Sequence, residues 1–332
     1  MSTRLPRREF LTALSVMAAG AVIPNSKVPP TKLTQTSPGN HKSLANSPFR
    51  VAVINDELTQ DFGRACEIAS REFGMGWIEL RGMWNKNIVA LDAKEIAEVQ
   101  RILAKYSLRV TDIASPLFKV DWPGAPKSRF SEQDQFHANF SFDEQNEILD
   151  RAIELAKAVK TERIRCFDFW RLDDPAPHRA AMNDRLREAA ERAGKQSMIL
   201  VLENEPACNT ATGAEAAKVL DAVKSQSLML NWDPANAAAS GEKAFPNGYN
   251  LLPKERIGHC HCKDVVKTDG KHEWAAMGIG TVDWLGQFKA LKRDGYRYAV
   301  SLETHWKGGT PEESSRQSWA GMKNLLERAG AL

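Results

Sequence analysis

The stretch MILVLENE, residues 198–205, has the pattern of a buried strand that ends on a carboxylate, because an unbroken apolar run leads directly to Glu203. Three later stretches repeat this pattern with another acid or an imidazole at the end. They are LMLNWDP (228–234) with Asp233, IGHCHCKD (257–264) with His261, and YAVSLETHW (298–306) with Glu303. The four side chains are roughly 30 to 40 residues apart, about the length of one strand, loop, helix and loop in a βα repeat.

Outward from these stretches, short apolar runs alternate with amphipathic helical patterns from residue 49 onward. The predicted strands cover residues 50–54, 77–81, 109–114, 163–168, 198–203, 228–233, 257–262 and 298–303. Eight βα units in one chain predict an α/β fold, a closed (β/α)8 TIM barrel that forms a single domain over residues 49–332. Two segments, 115–142 and 265–280, are longer than a barrel connection requires, and we expect them to be lids over the site.

The N-terminal residues 1–24 combine a charged start, the pair Arg7 and Arg8, and an apolar stretch over 11–23. This resembles a twin-arginine export signal, so we expect an exported, periplasmic protein. The apolar stretch is shorter than the roughly 20 residues that span a bilayer, and no stable membrane insertion is expected after signal removal. Residues 25–48 are rich in Pro, Ser, Thr and Asn, which predicts a disordered linker.

Composition narrows the classes of partner. The 332 residues carry 45 Lys and Arg against 42 Asp and Glu, a net charge of +3, and contain no long basic run. A nucleic-acid partner is therefore not expected. A small-molecule substrate is expected instead, and a homo-oligomer is possible.

The four strand-end side chains predict a metal site. In a TIM barrel the catalytic face lies at the C-terminal ends of the strands, so Glu203, Asp233, His261 and Glu303 should meet there. A single Glu at a strand end is more often solvated or a helix cap, but joint placement on strands 5 to 8 favours ligation. Three carboxylates and one imidazole suit Mn²⁺ or Mg²⁺, with Co²⁺ or Zn²⁺ as alternatives.

Such an ion would leave positions for substrate oxygens and could polarise a carbonyl together with an adjacent hydroxyl. The C–H bond next to that carbonyl would become acidic. One carboxylate could then remove the proton and another could return it, which gives epimerisation or isomerisation through an enediolate.

The chain resembles the sugar phosphate isomerase/epimerase family, also called the xylose isomerase-like barrels, over roughly residues 49–330. The motifs that carry the resemblance are LVLENE, NWDPAN, IGHCHCKD, GIGTVDW and SLETHW. The resemblance implies that Glu203, Asp233, His261 and Glu303 hold one divalent metal, and that Glu203 and Glu303 are the catalytic acid/base pair. Ketose 3-epimerases of the family carry His where Asn236 stands here, so the chain departs from those members.

Seven further residues are candidates for substrate binding: Asn236, His259, Lys263, Arg171, Trp170, Glu205 and His305. His259 shares the inward face of its strand with His261 one layer deeper, and either packs in the core or contacts a ligand residue or substrate. Lys263 continues that face outward and either binds a substrate oxygen or is solvated.

Four of the other candidates are predicted at the rim of the barrel, and each has an ordinary alternative. Trp170 and Arg171 follow strand 4 and could reach the mouth of the barrel, as could Glu79 within strand 2. Glu205 either contacts substrate or caps a loop, and His305 is either a rim contact or an ordinary loop residue.

The sequence therefore predicts a metal-dependent isomerase or epimerase acting on a carbohydrate or polyol. The same site could instead serve a lyase or dehydratase on keto-inositols or 3-keto-glycosides, because both reactions begin with the same proton transfer. An apurinic endonuclease is less expected, since its metal cluster needs more histidines than the seven present. A non-catalytic periplasmic binder is also less expected, because the chain lacks a second lobe.

Overall fold

The computed structural model describes residues 42–131 and 138–332. The predicted signal segment 1–24 and linker residues 25–41 lie outside this range. We number the eight barrel strands in chain order. They are β1 Arg50–Val53, β2 Trp77–Leu80, β3 Arg109–Leu117, β4 Arg163–Cys166, β5 Ile199–Glu203, β6 Leu228–Trp232, β7 Ile257–Cys262 and β8 Ala299–Leu302.

These strands form one parallel sheet in the order β1-β8-β7-β6-β5-β4-β3-β2. A parallel bridge between Ile54 and Glu79 brings the two ends of this sheet together, so the sheet closes into a barrel. The prediction of a single-domain TIM barrel is confirmed. Closure places the C-terminal ends of β5 to β8 side by side on one rim.

Helices connect the strands and cover the outside of the barrel. The α-helices between and after the strands are Phe62–Glu67, Ala93–Tyr106, Gln145–Ala158, Arg179–Gly194, Gly213–Ala222, Pro234–Ala239, Tyr249–Leu251, Trp284–Arg293 and Pro311–Arg328. Capping boxes begin the helices at Asp92, Thr212 and Thr310. Buried aliphatic and aromatic side chains from strands and helices form one large core.

The segment after β7 differs from the predicted loop. It forms an antiparallel hairpin of Asp264–Thr268 with Lys271–Ala275. Asp269 and Gly270 make the turn and both have positive φ, the conformation that a two-residue Asp-Gly hairpin turn requires. The carboxylate of Asp264 accepts hydrogen bonds from the backbone N–H groups of Gly278 and Gly280. The hairpin is therefore tied to the barrel rim at its base.

The first residues that the structure describes lead into strand β1 of the barrel. A short helix covers Lys42–Ala45, and Leu44 packs against the core, so this end of the predicted linker has defined structure. The five cysteines all fall within the described residues and are buried as free thiols. Among residues 42–131 and 138–332, no helix is both long and apolar enough to cross a membrane.

Candidate metal centre and active site

The four predicted ligands converge at the rim formed by β5 to β8. Nδ1 of His261 lies 3.2 Å from Oε1 of Glu203 and 3.4 Å from Oε2 of Glu303. Together with Asp233, each of these residues offers one donor atom, and all four atoms lie within 4.8 Å of one another. The four side chains are almost completely buried. The fold therefore brings the four predicted ligands together at the C-terminal ends of the strands.

Asp233 is fixed by the start of the helix that follows it. Oδ1 of Asp233 accepts a hydrogen bond from the backbone N–H of Asn236, as the N-cap of helix Pro234–Ala239. The Asn236 side chain donates to the backbone oxygen of Asn204 and lies 3.4 Å from Oε1 of Glu203. Asn236, a predicted substrate contact, therefore contacts one of the ligand carboxylates.

An arginine holds the outer oxygen of each glutamate. Arg165 donates from Nη1 to Oε2 of Glu203 at 3.1 Å, and its guanidinium also donates to the backbone oxygens of Ala114 and Ser115. Arg81 donates from Nη1 to Oε1 of Glu303 at 3.0 Å. Each glutamate thus turns its remaining oxygen towards His261.

Arg81 belongs to a wider ion-pair cluster at the mouth. Its Nε contacts both carboxylate oxygens of Asp56, and its Nη2 donates to Glu57 at 2.6 Å. His305 joins the same cluster, with Nε2 3.2 Å from Glu57 and 3.5 Å from Glu303. The predicted rim role of His305 agrees with this position.

Lys263 lies inside the ligand set. Its Nζ is 2.5 Å from Oδ2 of Asp233 and also forms an ion pair with Oε2 of Glu303. The side chain is fully buried, which removes the alternative of a solvated lysine. The carboxylate oxygens that Lys263 contacts are those that would also ligate a cation.

The charges in the site set the acidity of the carboxyl groups. Burial raises the pKa of Asp233 to about 6, despite the opposing effect of the Lys263 ammonium. Burial also acts to raise the pKa of Glu203, but the charges of His261 and Arg165 outweigh it and bring that pKa to about 2. Glu203 is therefore ionised at neutral pH.

In Glu303 and His261, too, neighbouring charges outweigh the effect of burial on the pKa. Burial opposes ionisation of Glu303, but Lys263 above all holds its pKa well below the usual range. Burial opposes protonation of His261, but the carboxylates of Glu79, Glu303 and Glu203 raise its pKa well above the usual value. The site thus contains two ionised glutamates next to His261, and their negative charge favours a cation there.

A second polar layer lies beneath this centre. Nε2 of His261 is 2.9 Å from Oε1 of Glu79 on β2. His259 lies below, with Nε2 3.3 Å from Asp112 and 3.5 Å from Glu79, and Nδ1 3.1 Å from Oδ1 of Asn231. His259 is therefore more than a packed core histidine, because its ring contacts polar atoms on both sides.

The donor set fits a divalent cation. Three carboxylate oxygens and one imidazole nitrogen, buried and mutually within 4.8 Å, form a mostly oxygen-rich ligand set. His261 also has a carboxylate on its other ring nitrogen, the arrangement that orients metal-binding histidines.

A cavity opens beside the ligand set at the mouth of the barrel. It encloses about 590 Å³ and is lined by residues of the Arg81 cluster together with Trp274, His305 and Trp306. The Trp274 ring, which the hairpin presents, lies 5.1 Å from Nζ of Lys263. The volume falls in the range of small-molecule sites.

Three predicted substrate contacts have partners elsewhere on the rim. Arg171 pairs with Glu215 at 2.7 Å and donates to the backbone oxygen of Cys208. Trp170 is buried in a small cluster with Phe167. Glu205 accepts from the backbone N–H of Ala207. The structure gives these three side chains local contacts and does not place them in the ligand set; their substrate roles stay predictions.

Sequence reasoning missed five charged residues of the site: Asp56, Glu57, Arg81, Asp112 and Arg165. A signal was present, because each lies within a barrel strand or a few residues after one. A charged side chain at such a position must find partners in the barrel interior or at its rim.

Solved structures share the fold at low sequence identity. The probable 3-DHS dehydratase AsbF of Bacillus anthracis aligns with a TM-score of 0.64 and 19% identity over 83% of this chain and 98% of its own. The 3-keto-D-glucoside 4-epimerase YcjR of E. coli aligns with a TM-score of 0.59 and 17% identity over 83% and 99%. IolI, whose structure contains a bound zinc atom, aligns with a TM-score of 0.64 and 16% identity over 85% and 98%.

Comparison with curated protein sequences gives no significant match. The family model described as "Xylose isomerase-like TIM barrel" matches residues 68–325, which is most of the barrel and includes all four ligand residues. The chain therefore belongs to the xylose isomerase-like TIM barrel family.

Proposed function

We propose that the protein is a divalent-metal-dependent carbohydrate isomerase or epimerase that moves a proton at the carbon next to a carbonyl. The observation that carries this proposal is that two ionised carboxylates, Glu203 and Glu303, both lie within 3.4 Å of Nδ1 of His261. Two such bases around one centre can act on opposite faces of a substrate carbon.

Glu203, Asp233, His261 and Glu303 would hold the metal, and we propose Mn²⁺, with Mg²⁺, Co²⁺ or Zn²⁺ as alternatives. A divalent ion at this position supplies positive charge that polarises a substrate carbonyl. The oxygen-rich ligand set supports Mn²⁺ or Mg²⁺, whereas the bound zinc atom of IolI supports Zn²⁺.

The chain's own residues perform the proton transfer. Glu203 and Glu303 are ionised at neutral pH because neighbouring cations lower their pKa values, so either carboxylate can accept the proton. Arg165 and Arg81 hold the outer oxygen of each glutamate and keep the inner oxygen directed at the centre. The Lys263 ammonium places positive charge where an enediolate oxygen would develop.

The side chains at the mouth of the barrel support a carbohydrate or polyol as the substrate class. The cavity combines the aromatic side chains of Trp274 and Trp306 with polar groups such as Arg81 and His305. Aromatic faces suit the C–H face of a sugar ring, and charged side chains suit its hydroxyl groups. YcjR, which shares the fold, is a 3-keto-D-glucoside 4-epimerase, and this supports a carbohydrate or polyol ligand.

A lyase or dehydratase is the second candidate, favoured by the surroundings of Asn236 and Lys263. Asn236 stands where ketose 3-epimerases of the family carry His, and its amide is bonded to Asn204 and directed at Glu203. The Lys263 ammonium could protonate a leaving group once the proton next to the carbonyl is removed. AsbF, a probable 3-DHS dehydratase that shares the fold, supports this alternative.

We also propose that the enzyme acts after export, in the periplasm, on unphosphorylated substrates. This rests on the twin-arginine pattern of residues 1–24. A fusion of residues 1–48 to a reporter protein should be exported by the twin-arginine route, and replacement of Arg7 and Arg8 by Lys should abolish that export.

Proton exchange from deuterated water tests the activity. The Mn²⁺-loaded protein should introduce deuterium next to the carbonyl of at least one compound from a panel of free sugars, keto-inositols and 3-keto-glycosides. Epimerised product would support the first candidate, and loss of a β-substituent would support the lyase. Absence of exchange with the whole panel would contradict both.

The variant Glu303→Gln should then lose about 10²- to 10⁴-fold in turnover, because an amide cannot accept the proton. It should still bind Mn²⁺ through the other ligands, whereas His261→Ala should lose Mn²⁺ binding in isothermal titration calorimetry. Glu327→Gln, which changes an exposed glutamate on the last helix, is the matched control. Full activity of Glu303→Gln would overturn the acid/base assignment.

A further inference from the structure

The N-terminal ends of the first four barrel strands carry three arginines and a tryptophan. Strands β1, β3 and β4 begin with Arg50, Arg109 and Arg163, and β2 begins with Trp77. Because the barrel strands are parallel, these four residues lie at the end of the barrel opposite to the metal centre. The proposed reaction does not use this end, so the arginines have a role separate from it.

The three guanidinium groups lie close together around two aromatic rings. Cζ of Arg50 is 4.8 Å and Cζ of Arg109 is 3.9 Å from the centre of the Trp77 ring. Cζ of Arg163 is 4.1 Å from the centre of the Tyr298 ring, and Cζ of Arg50 is 6.0 Å from the same centre. Arg50 thus shares one ring with Arg109 and the other ring with Arg163.

The three arginines have too few carboxylate partners. Within residues 42–131 and 138–332, only Glu162 forms ion pairs with them; its Oε1 lies 3.9 Å from Nη1 of Arg50 and also contacts Nη1 of Arg163. Three positive charges against one negative charge leave an excess of two. Burial and the nearby charges of Arg163 and Arg109 lower the pKa of Arg50, as expected where like charges are held close together.

Arg163 also has a donor without an acceptor. The residue is only 2% exposed, and its Nε forms no hydrogen bond with the residues that the structure describes. Arg165, two residues further along the same strand, donates to Glu203 and to two backbone oxygens. Since an unpaired buried donor on a charged group is costly, Arg163 lacks an acceptor that a bound anion would supply.

A cavity adjoins this arginine cluster. It encloses about 520 Å³, and its lining includes Arg50, Trp77 and Arg109 together with Ser47 and Ser107. Guanidinium groups and hydroxyl groups donate hydrogen bonds to phosphate oxygens in many proteins. The volume lies within the range of small-molecule sites. The cavity therefore has the donors and the space for a phosphate group with or without a small organic substituent.

We propose that the N-terminal end of the barrel binds a phosphate dianion, free or as part of a small phosphorylated metabolite, between Arg50, Arg109 and Arg163. The two negative charges balance the excess of two positive charges, and a phosphate oxygen supplies the acceptor that Arg163 lacks. A ligand held by the first residues of three strands also stabilises the folded barrel. The proposal goes beyond the proposed function and does not depend on which reaction the metal centre performs.

Phosphate binding to the metal-free protein tests this site. The protein is freed of metal with EDTA, dialysed into low-salt buffer without EDTA, and titrated with inorganic phosphate in a calorimeter. The wild type should bind one phosphate per chain with a Kd below about 1 mM, the affinity that a few charge-assisted hydrogen bonds provide. Arg50→Gln and Arg109→Gln should each weaken binding at least about tenfold, because each removes a charged donor.

Two control variants accompany this titration. Arg50 and Arg109 are both at least partly exposed, so their glutamine variants should fold. Arg129→Gln is the matched control, because it removes an exposed arginine that contacts the Phe130 ring in the loop after β3, at the opposite end of the barrel. It should bind phosphate as the wild type does. His261→Ala, which removes a proposed metal ligand, should also bind phosphate as the wild type does.

A parallel titration with glucose 6-phosphate distinguishes the two sources of the anion. Tighter binding than that of inorganic phosphate would favour a phosphorylated metabolite, and equal binding would favour free phosphate; either result supports the site if Arg50→Gln and Arg109→Gln weaken it. Absence of saturable phosphate binding to the wild type would overturn the proposal. Unchanged binding in both arginine variants would also overturn it. Loss of binding in His261→Ala would place the anion at the metal centre and would overturn it as well.

Discussion

Lys263 contacts two of the four proposed metal ligands, so it bears directly on the proposed chemistry. Its ammonium contacts Asp233 and Glu303 through oxygens that a divalent cation would also bind. In the metal-free protein it compensates two buried carboxylates that would otherwise be strongly destabilising. Under the proposed function, a bound cation would compete with Lys263 for those oxygens, and the ammonium would then be free to contact the substrate.

We therefore expect Lys263→Met to bind Mn²⁺ at least about tenfold more tightly, a difference of about 1.4 kcal/mol, because a competing positive charge is removed. The same variant should be about 3–5 kcal/mol less stable without metal, because buried carboxylates lose their partner. Isothermal titration calorimetry and denaturant unfolding measure the two effects.

Lys267→Met is the control for Lys263→Met, because it removes one positive charge from an exposed position on the hairpin. It should leave both quantities unchanged within error. Weaker Mn²⁺ binding by Lys263→Met would contradict competition and would mean that the lysine helps to arrange the ligands.

The residues that could be predicted from sequence are those at strand ends. Glu203, Asp233, His261 and Glu303 were predictable because each ends an apolar run, and parallel strands bring such ends together. Arg81 and Arg165 were not, because a sequence does not show which interior or rim carboxylate a strand arginine will reach. That choice depends on the strand register, which places Arg165 opposite Val201 on β5 and so close to Glu203.

At the scale of elements, strands were predicted more accurately than connections. Each predicted strand overlaps an observed one, because a buried barrel strand needs a short, continuous apolar run. The segment 265–280 was predicted as a loop, but Asp269 and Gly270 form a hairpin turn. The Asp-Gly pair is a typical signal of a hairpin turn. The segments on both sides are polar because they pack against little of the core, so the sequence does not indicate strands there.

A network of ion pairs joins two elements on the outside of the barrel. Glu72 contacts Arg64 at 2.9 Å and Arg316 at 2.8 Å, and Glu312 contacts the same two arginines. The network therefore links the helical segment 62–72 to helix Pro311–Arg328. Arg316 lowers the pKa of Glu72, mainly through its hydrogen bond.

We expect Glu72→Gln to lower the free energy of unfolding at pH 7 by less than about 1 kcal/mol, because about a third of each side chain is exposed and solvent screens the pairs. The folded-state pKa of Glu72 is depressed, so its contribution is complete above the unfolded pKa and is lost as pH falls through the folded pKa. The difference between variant and wild type should thus shrink below about pH 4.5. Urea unfolding at several pH values measures it.

High salt should also reduce the effect of Glu72→Gln, since surface pairs are screened. Glu327→Gln, which changes an exposed glutamate on helix Pro311–Arg328, provides the control. A difference for Glu72→Gln that stays constant from pH 7 to pH 3.5 would show that the carboxylate charge is not its cause.

At the scale of the whole molecule, the barrel was predictable because eight similar units leave few other topologies. The concentration of charge inside it was not, because it arises only when strands from distant parts of the sequence close on one another. Glu79 and His261, for example, come together only after β2 and β7 have taken their places around the same barrel. Under the proposed function, a metal ion at this centre would therefore bind only the folded barrel.

This coupling predicts that Mn²⁺ stabilises the folded protein against heat. An ion that binds only the folded state adds about 2.7 kcal/mol when its concentration is 100 times the dissociation constant. For a domain of this size, such a gain should raise Tm by about 5 °C or more, because each kcal/mol shifts Tm by roughly 2 °C. Differential scanning calorimetry with Mn²⁺ and with excess EDTA measures the shift. His261→Ala should lose most of it, and an equal shift in that variant would mean that the stabilising ion binds outside the barrel centre.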